Sequence, residues 1–143
     1  MSRDSYSHKF VKAFPDKLDD GILYISVDFG TAAHRCFCGC GQEVYTRFSP
    51  HDWFMIFDGE TVSIKPSIGN WSFRCRSHYW LEKGNVLWAG AMSQEKIEMG
   101  RQRDRQRKER HFSAPASTPV RSEPVPATQG GWFTKFTNWL LGR

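Results

Sequence analysis

No run of this sequence approaches the roughly 18 consecutive apolar residues that a membrane-spanning helix needs, so no transmembrane segment is expected. The first nine residues are polar and lack the apolar stretch of a secretory leader, which makes the cytoplasm the expected compartment. Residues 21–92 contain no helical segment among their strand-like runs, and no His-Glu-x-x-His pair appears anywhere. Hydrophobic residues make up an ordinary 39%, while aromatics reach 15%, so a small core built around a few large rings is expected. A core of that size benefits from a staple. Cysteine is scarce, at four in 143 residues, yet three of the four lie within five positions. In a reducing compartment such crowding indicates metal ligands rather than disulfides, because Cys-x-Cys neighbours are poorly placed to pair with each other.

The organisation follows from composition. Residues 1–20 mix Ser, Lys, Asp and a Phe-Pro step and read as a loosely ordered N-terminal arm. Residues 21–92 read as a mostly β unit, a small metal-stapled antiparallel domain. Ile22, Leu23, Tyr24, Ile25, Val27 and Phe29 form a strand signature between Gly21 and Gly30, and further strand-like runs fall at 43–48, 53–57, 61–65, 79–81 and 86–88. Ser93 then offers an N-cap to an acidic first turn, predicting a charged helix over 93–112 whose second half has no apolar face to bury. Residues 113–131, with Pro115, Pro119, Pro124 and Pro126, read as a flexible linker rich in Pro, Ser and Ala. Over 132–143, Trp132, Phe133, Phe136, Trp139 and Leu140 share an arc of about 120° on a helix, an amphipathic face suited to a partner's groove, a membrane surface or the domain itself.

Charge is unevenly divided. Residues 1–92 hold ten Lys/Arg and ten Asp/Glu, whereas 93–143 hold ten and five, so the formal +5 lies wholly in the C-terminal third. Attraction to an acidic partner is therefore a property of that third.

The chemistry concentrates in His34-Arg35-Cys36-Phe37-Cys38-Gly39-Cys40-Gly41, answered by Cys75-Arg76-Ser77-His78. Thiolate and imidazole are the preferred zinc donors, and a closed site takes four in a tetrahedron. Gly39 and Gly41 suit a tight turn that presents backbone N–H groups to sulfur. Five strong donors are available: Cys36, Cys38, Cys40, Cys75 and His78. Four of them are expected to hold the ion, namely Cys75 and His78 with two of the clustered cysteines, leaving the last cysteine and His34 beside it. Between the two ligand turns, Ser67 and Asn70 either line a cleft or merely belong to the turn delivering Cys75, and the plain turn is the simpler reading.

The pattern His-x-Cys-x-Cys-Gly-Cys-Gly, then Pro-Ser-Ile-Gly at 66–69, Cys-x-Ser-His-Tyr at 75–79 and Gly-x-Val-x-Trp at 84–88, resembles an uncharacterised family of small prokaryotic and mobile-element proteins. Its members are predicted to bind zinc, and some stand beside bacterial ubiquitin-like conjugation genes. The resemblance covers roughly residues 20–90 and implies a zinc-bearing accessory protein of a bacterial or phage conjugation or defence system. It says nothing of the basic run or the aromatic tail.

The expectation from sequence is thus a zinc-binding adaptor without turnover, whose β domain and tethered C-terminal helix both engage a protein partner. Three alternatives compete with it. A Rieske-like 2Fe-2S electron carrier also pairs a short ligand turn with Cys-x-x-His, although here His34 precedes Cys36 where Rieske turns run Cys then His. A zinc-dependent hydrolase would leave one coordination position open and recruit His34, Glu43, His51 or Asp52 as acid or base. A nucleic-acid-binding protein would use Arg101, Arg103, Arg105, Arg107, Lys108 and Arg110 on phosphates.

Overall fold

The structure, a computed structural model, describes residues 1–113. The runs of β-branched and aromatic residues pair into two four-stranded sheets. The first sheet has the order β1 (Ser7–Phe10), β2 (Ile22–Ser26), β3 (Thr31–Arg35), β4 (Glu43–Arg47). The second has the order β5 (Phe54–Phe57), β6 (Val62–Gly69), β7 (His78–Glu82), β8 (Asn85–Trp88). All neighbours are antiparallel except β1, which runs parallel to β2. The mostly β fold read from sequence is what forms.

Two strands were not anticipated. The expected N-terminal arm contributes β1, which lies on β2 in register Ser7 to Ile22 through Phe10 to Ile25. The flanking residues 4–6 add to the second sheet: Ser5 bridges Asn85, the Val86 N–H donates to the Asp4 carbonyl, and the Tyr6 hydroxyl donates to the Val62 carbonyl. These long-range pairings give polar residues such as Ser7 and Lys9 a strand conformation that their own preferences do not demand. β3 was hidden for a related reason. Its Ala32 and Ala33 are weak strand formers, but small side chains fit a strand flanked on both sides and fully buried on both faces, Ala32 in the main core and Ala33 in the smaller cluster.

One core lies between the sheets. Leu23, Ile25, Ala32 and Val44 from the first meet Val62, Ile64, Ile68, Tyr79, Leu81 and Val86 from the second, with Tyr6 and Phe37 filling between them. A smaller cluster, Leu18, Tyr24 and Ala33, forms where residues 11–18 cover the outer face of the first sheet.

β6 runs further than the expected 61–65. It continues through Pro66 to Gly69, with a shift in register against β7 between Ile64 and Ile68. The irregularity removes the demand for an N–H at Pro66 and re-aims the residues that follow. Ser67 is thus placed on a strand rather than in a turn.

Helix α1 (Gln94–Ser113) starts where the Ser93 cap predicted, with the Ser93 carbonyl accepting from the Ile97 N–H and the Ser93 hydroxyl from the Lys96 N–H. It is better anchored than its sequence suggested. Ile97 is buried, the Arg76 guanidinium donates to Gln94 at 3.0 Å, Lys108 pairs with Asp52, and the rings of His51 and His111 stand 4.0 Å apart. No helix among the described residues is long and apolar enough to cross a membrane. The anticipated linker beyond Ser113 and the aromatic helix with Trp132, Phe133, Phe136, Trp139 and Leu140 lie outside the described residues.

Candidate metal centre and serine–histidine pair

The two cysteine-bearing turns meet because each hangs from a strand of a different sheet around the shared core. After β3, the chain reverses through residues 36–42, with the Cys36 N–H donating to the Gln42 carbonyl and the Gly39 N–H to the Cys36 carbonyl. Gly39 and Gly41 have φ of 85° and 82°, a left-handed conformation that costs glycine little and other residues more. Before β7, a second turn is closed by Asn70 N–H to the Ser77 carbonyl and Arg76 N–H to the Phe73 carbonyl.

Between them the thiols of Cys36, Cys38, Cys40 and Cys75 all lie within 4.8 Å of one another. The separations are 3.3 Å for Cys36 to Cys38, 3.6 Å for Cys40 to Cys75 and 4.0 Å for Cys36 to Cys75. Four thiolates at about 2.3 Å from a tetrahedral zinc stand about 3.8 Å apart, which is the spacing seen. Four acidic groups this close do not ionise together on their own, and the thiols divide. Burial pushes Cys38 and Cys40 up. For Cys75 burial acts in the same sense, but hydrogen bonds from the Ser77 hydroxyl and backbone and from the Cys38 and Cys40 thiols outweigh it and draw it down to about 7. A divalent cation is what would let all four ionise at once. The donor set therefore fits a metal ion.

Behind the thiols lies a buried polar network. Asn70 Nδ2 donates to Ser77 Oγ at 2.9 Å and to the Tyr79 hydroxyl at 3.2 Å, with Cys36 Sγ at 3.7 Å. Ser77 Oγ is 3.1 Å from Cys36 Sγ, and the Tyr79 hydroxyl shares a hydrogen bond of 2.9 Å with His34 Nε2. His34 is fully enclosed, stacked 4.6 Å from Phe37, and burial lowers it to about 3, so it is a neutral acceptor or donor in this network. Cys36 is consequently the thiol that is screened and hydrogen-bonded, whereas Cys40 is exposed.

His78 is not among the gathered donors. Its Nε2 lies 3.0 Å from Ser67 Oγ, the separation at which a hydroxyl donates to an imidazole. The ring is in contact with Trp71 and Trp80, at 4.9 and 5.5 Å between centroids. Burial lowers the His78 pKa, partly offset by the Gly90 backbone, while Nδ1 makes no hydrogen bond of ordinary geometry. A neutral imidazole against a serine hydroxyl is the pairing that activates a nucleophile. Ser67 also opens onto a cleft of about 420 Å³, whose walls are the turn at His51, Asp52 and Trp53, the strand at Pro66, and Asp104, Arg107 and Lys108 of α1. Ser77, the other serine near His78, is buried and committed to Asn70 and Cys36.

Sequence reasoning placed Ser67 and Asn70 near the metal and favoured a plain turn. The pairing with His78 was invisible because Ser67 and His78 meet across the β6–β7 ladder, where Gly69 opposes His78. The remaining expected residues are dispersed. Glu43 accepts from the Tyr45 hydroxyl, the His51 ring meets that of His111 at a tilt, and Asp52 pairs with Lys108. Of the basic run, Arg101 pairs with Glu98 at 3.8 Å and Arg107 with Asp104 at 3.1 Å, while Arg103, Arg105 and Arg110 are exposed.

A family model described as "bacterial ubiquitination-like system serine protease (BubE)" matches residues 10–89. The matched span is more than half of the 143 residues and contains all four cysteines, Ser67 and His78. No curated protein and no solved structure gives a match.

Proposed function

We propose, because the chain belongs to the BubE family of bacterial ubiquitination-like systems, that it is a serine peptidase with Ser67 as nucleophile and His78 as base, built on a zinc-stapled β sandwich. The observation that carries this reading is the 3.0 Å approach to His78 Nε2 of the Oγ of Ser67, a residue that lines an open cleft. The family's printed description names a serine protease, and Ser67 is a serine with both an imidazole at hydrogen-bond distance and a place in a cleft wall.

In this mechanism the Ser67 hydroxyl gives its proton to His78 Nε2 as Oγ bonds to the scissile carbonyl carbon. The proton then passes from His78 to the leaving amine, and the C–N bond breaks. Water, deprotonated by the same ring, hydrolyses the Ser67 ester and restores the hydroxyl. Burial keeps the imidazole neutral and ready to accept at neutral pH, and the two tryptophans hold the ring plane. A protein of the same ubiquitination-like system is the proposed substrate.

Cys36, Cys38, Cys40 and Cys75 would hold a zinc ion, which would supply structural cross-linking. Bond cleavage is assigned to Ser67. The 4.8 Å envelope favours one ion over a two-iron cluster, which spreads its thiolates over two metals. The proposal departs from the turnover-free adaptor expected from sequence, because an adaptor has no use for a serine paired to a neutral histidine in a cleft.

The test is labelling with a fluorophosphonate probe followed by mass spectrometry. One adduct on Ser67, lost in Ser67→Ala and reduced at least about 1,000-fold in rate in His78→Ala, is expected. An adduct on another serine, or none on folded protein, overturns the reading.

A further inference from the structure

We infer that helix α1 is the substrate-reading wall of the Ser67 cleft and that it selects acidic protein segments, an inference that rests on the peptidase reading and adds the class of substrate. The cleft before Ser67 is closed on one side by Asp104, Arg107 and Lys108 of α1. Its two cations are matched locally, Arg107 by Asp104 and Lys108 by Asp52. The surface does not end there. Arg103, Gln106, Arg107 and Arg110 line a second groove of about 220 Å³ along the helix. Positions 103, 107 and 110 recur at helical spacing and lie on one face. Arg107 belongs to both grooves, so the basic stripe is continuous with the space in front of the nucleophile.

Arg103 and Arg110 form no ion pair among the described residues, so this end of the stripe has cationic capacity to spare. The helix is held in place for such a role by the Lys108–Asp52 pair and the His51–His111 contact at one end and by Arg76 on Gln94 at the other.

Geometry specifies the ligand further. Arg110 lies seven positions after Arg103 on the helix, a rise of about 10.5 Å. A peptide in the polyproline II conformation, with three residues per turn and a rise of about 3.1 Å, covers nearly that distance in three residues and brings the third side chain back to the same face. Two acidic side chains about three positions apart therefore match the two unpaired guanidiniums, with the scissile bond beyond them toward Ser67. A nucleic-acid backbone fits less well, since its uninterrupted phosphates would run into the carboxylates of Asp52 and Asp104 at the cleft.

The experiment uses the full chain carrying Ser67→Ala, so that nothing is cleaved. Fluorescence anisotropy compares a labelled peptide bearing two Glu three positions apart with the same peptide bearing Gln there. At low salt the acidic peptide is expected to bind about tenfold more tightly, with the preference lost in 0.5 M NaCl and in the additional double variant Arg103→Ser/Arg110→Ser. Equal binding of the two peptides overturns the inference. So does a preference that survives the double variant, or a single-stranded oligonucleotide that displaces the acidic peptide at lower concentration than the unlabelled peptide itself. Fluorophosphonate labelling of the wild-type chain separates the two levels. Labelled Ser67 without acidic preference sinks this inference alone, whereas an unlabelled Ser67 sinks the peptidase reading and the substrate assignment with it.

Discussion

Gly69→Ala probes how closely the fold positions the base. A methyl carbon at residue 69 would stand 2.6 Å from Cε2 of the Trp71 indole and closer still to Nε1. Carbon contacts turn favourable near 3.5 Å, so the indole must retreat by about 0.9 Å. Trp71 is one of the two rings against His78, at 4.9 Å between centroids, and Gly69 lies opposite His78 in the β6–β7 register. The displacement is therefore passed to the imidazole. Overpacking of this kind costs about 1–3 kcal/mol in stability, whereas a shift of about 1 Å in a reacting group costs about 100-fold in rate. The two readouts should separate. Circular dichroism melting of Gly69→Ala is expected to show a folded protein lowered by several degrees, and fluorophosphonate labelling of its Ser67 to slow by about two orders of magnitude. A labelling rate within threefold of wild type would refute the idea that Trp71 sets the position of His78.

Other outcomes follow from the same geometry. Because His78 must be neutral to accept the Ser67 proton and burial lowers its pKa, kcat/KM should rise with pH along an acid limb whose midpoint lies below the ordinary value of about 6.5. A midpoint above 7 in a peptide-cleavage profile would contradict that assignment. Zinc should be found at one ion per chain by elemental analysis, and its removal by chelator should cost about 4 kcal/mol relative to zinc held at about 1,000 times its Kd. Unchanged melting after complete metal removal would eliminate the staple. Tyr79→Phe removes the hydroxyl shared with His34 Nε2 and Asn70 in a fully buried site, and should cost about 1–3 kcal/mol in urea denaturation. A loss below about 0.5 kcal/mol would mean that the network is not under the stated constraint.

The sequence by itself determined the β class, the start of the helix and the cysteines as a donor set that could hold a metal ion. Each of these is a local property: β-branched runs between glycines, a serine cap before an acidic turn, and thiols crowded as Cys-x-Cys-Gly-Cys. Tertiary structure decided the rest. β1 and β3 exist because pairing and burial override the weak strand preferences of Ser7, Lys9, Ala32 and Ala33. Cys-x-x-His at 75–78 suggested two ligands on one ion; strand β7 begins at His78 and brings its ring to Ser67 Oγ, while the thiols that gather are Cys36, Cys38, Cys40 and Cys75. Spacing along the chain specifies which groups are near in sequence. Only the register of β6 against β7, shifted past Pro66, determines that a serine eleven residues earlier is the one His78 meets.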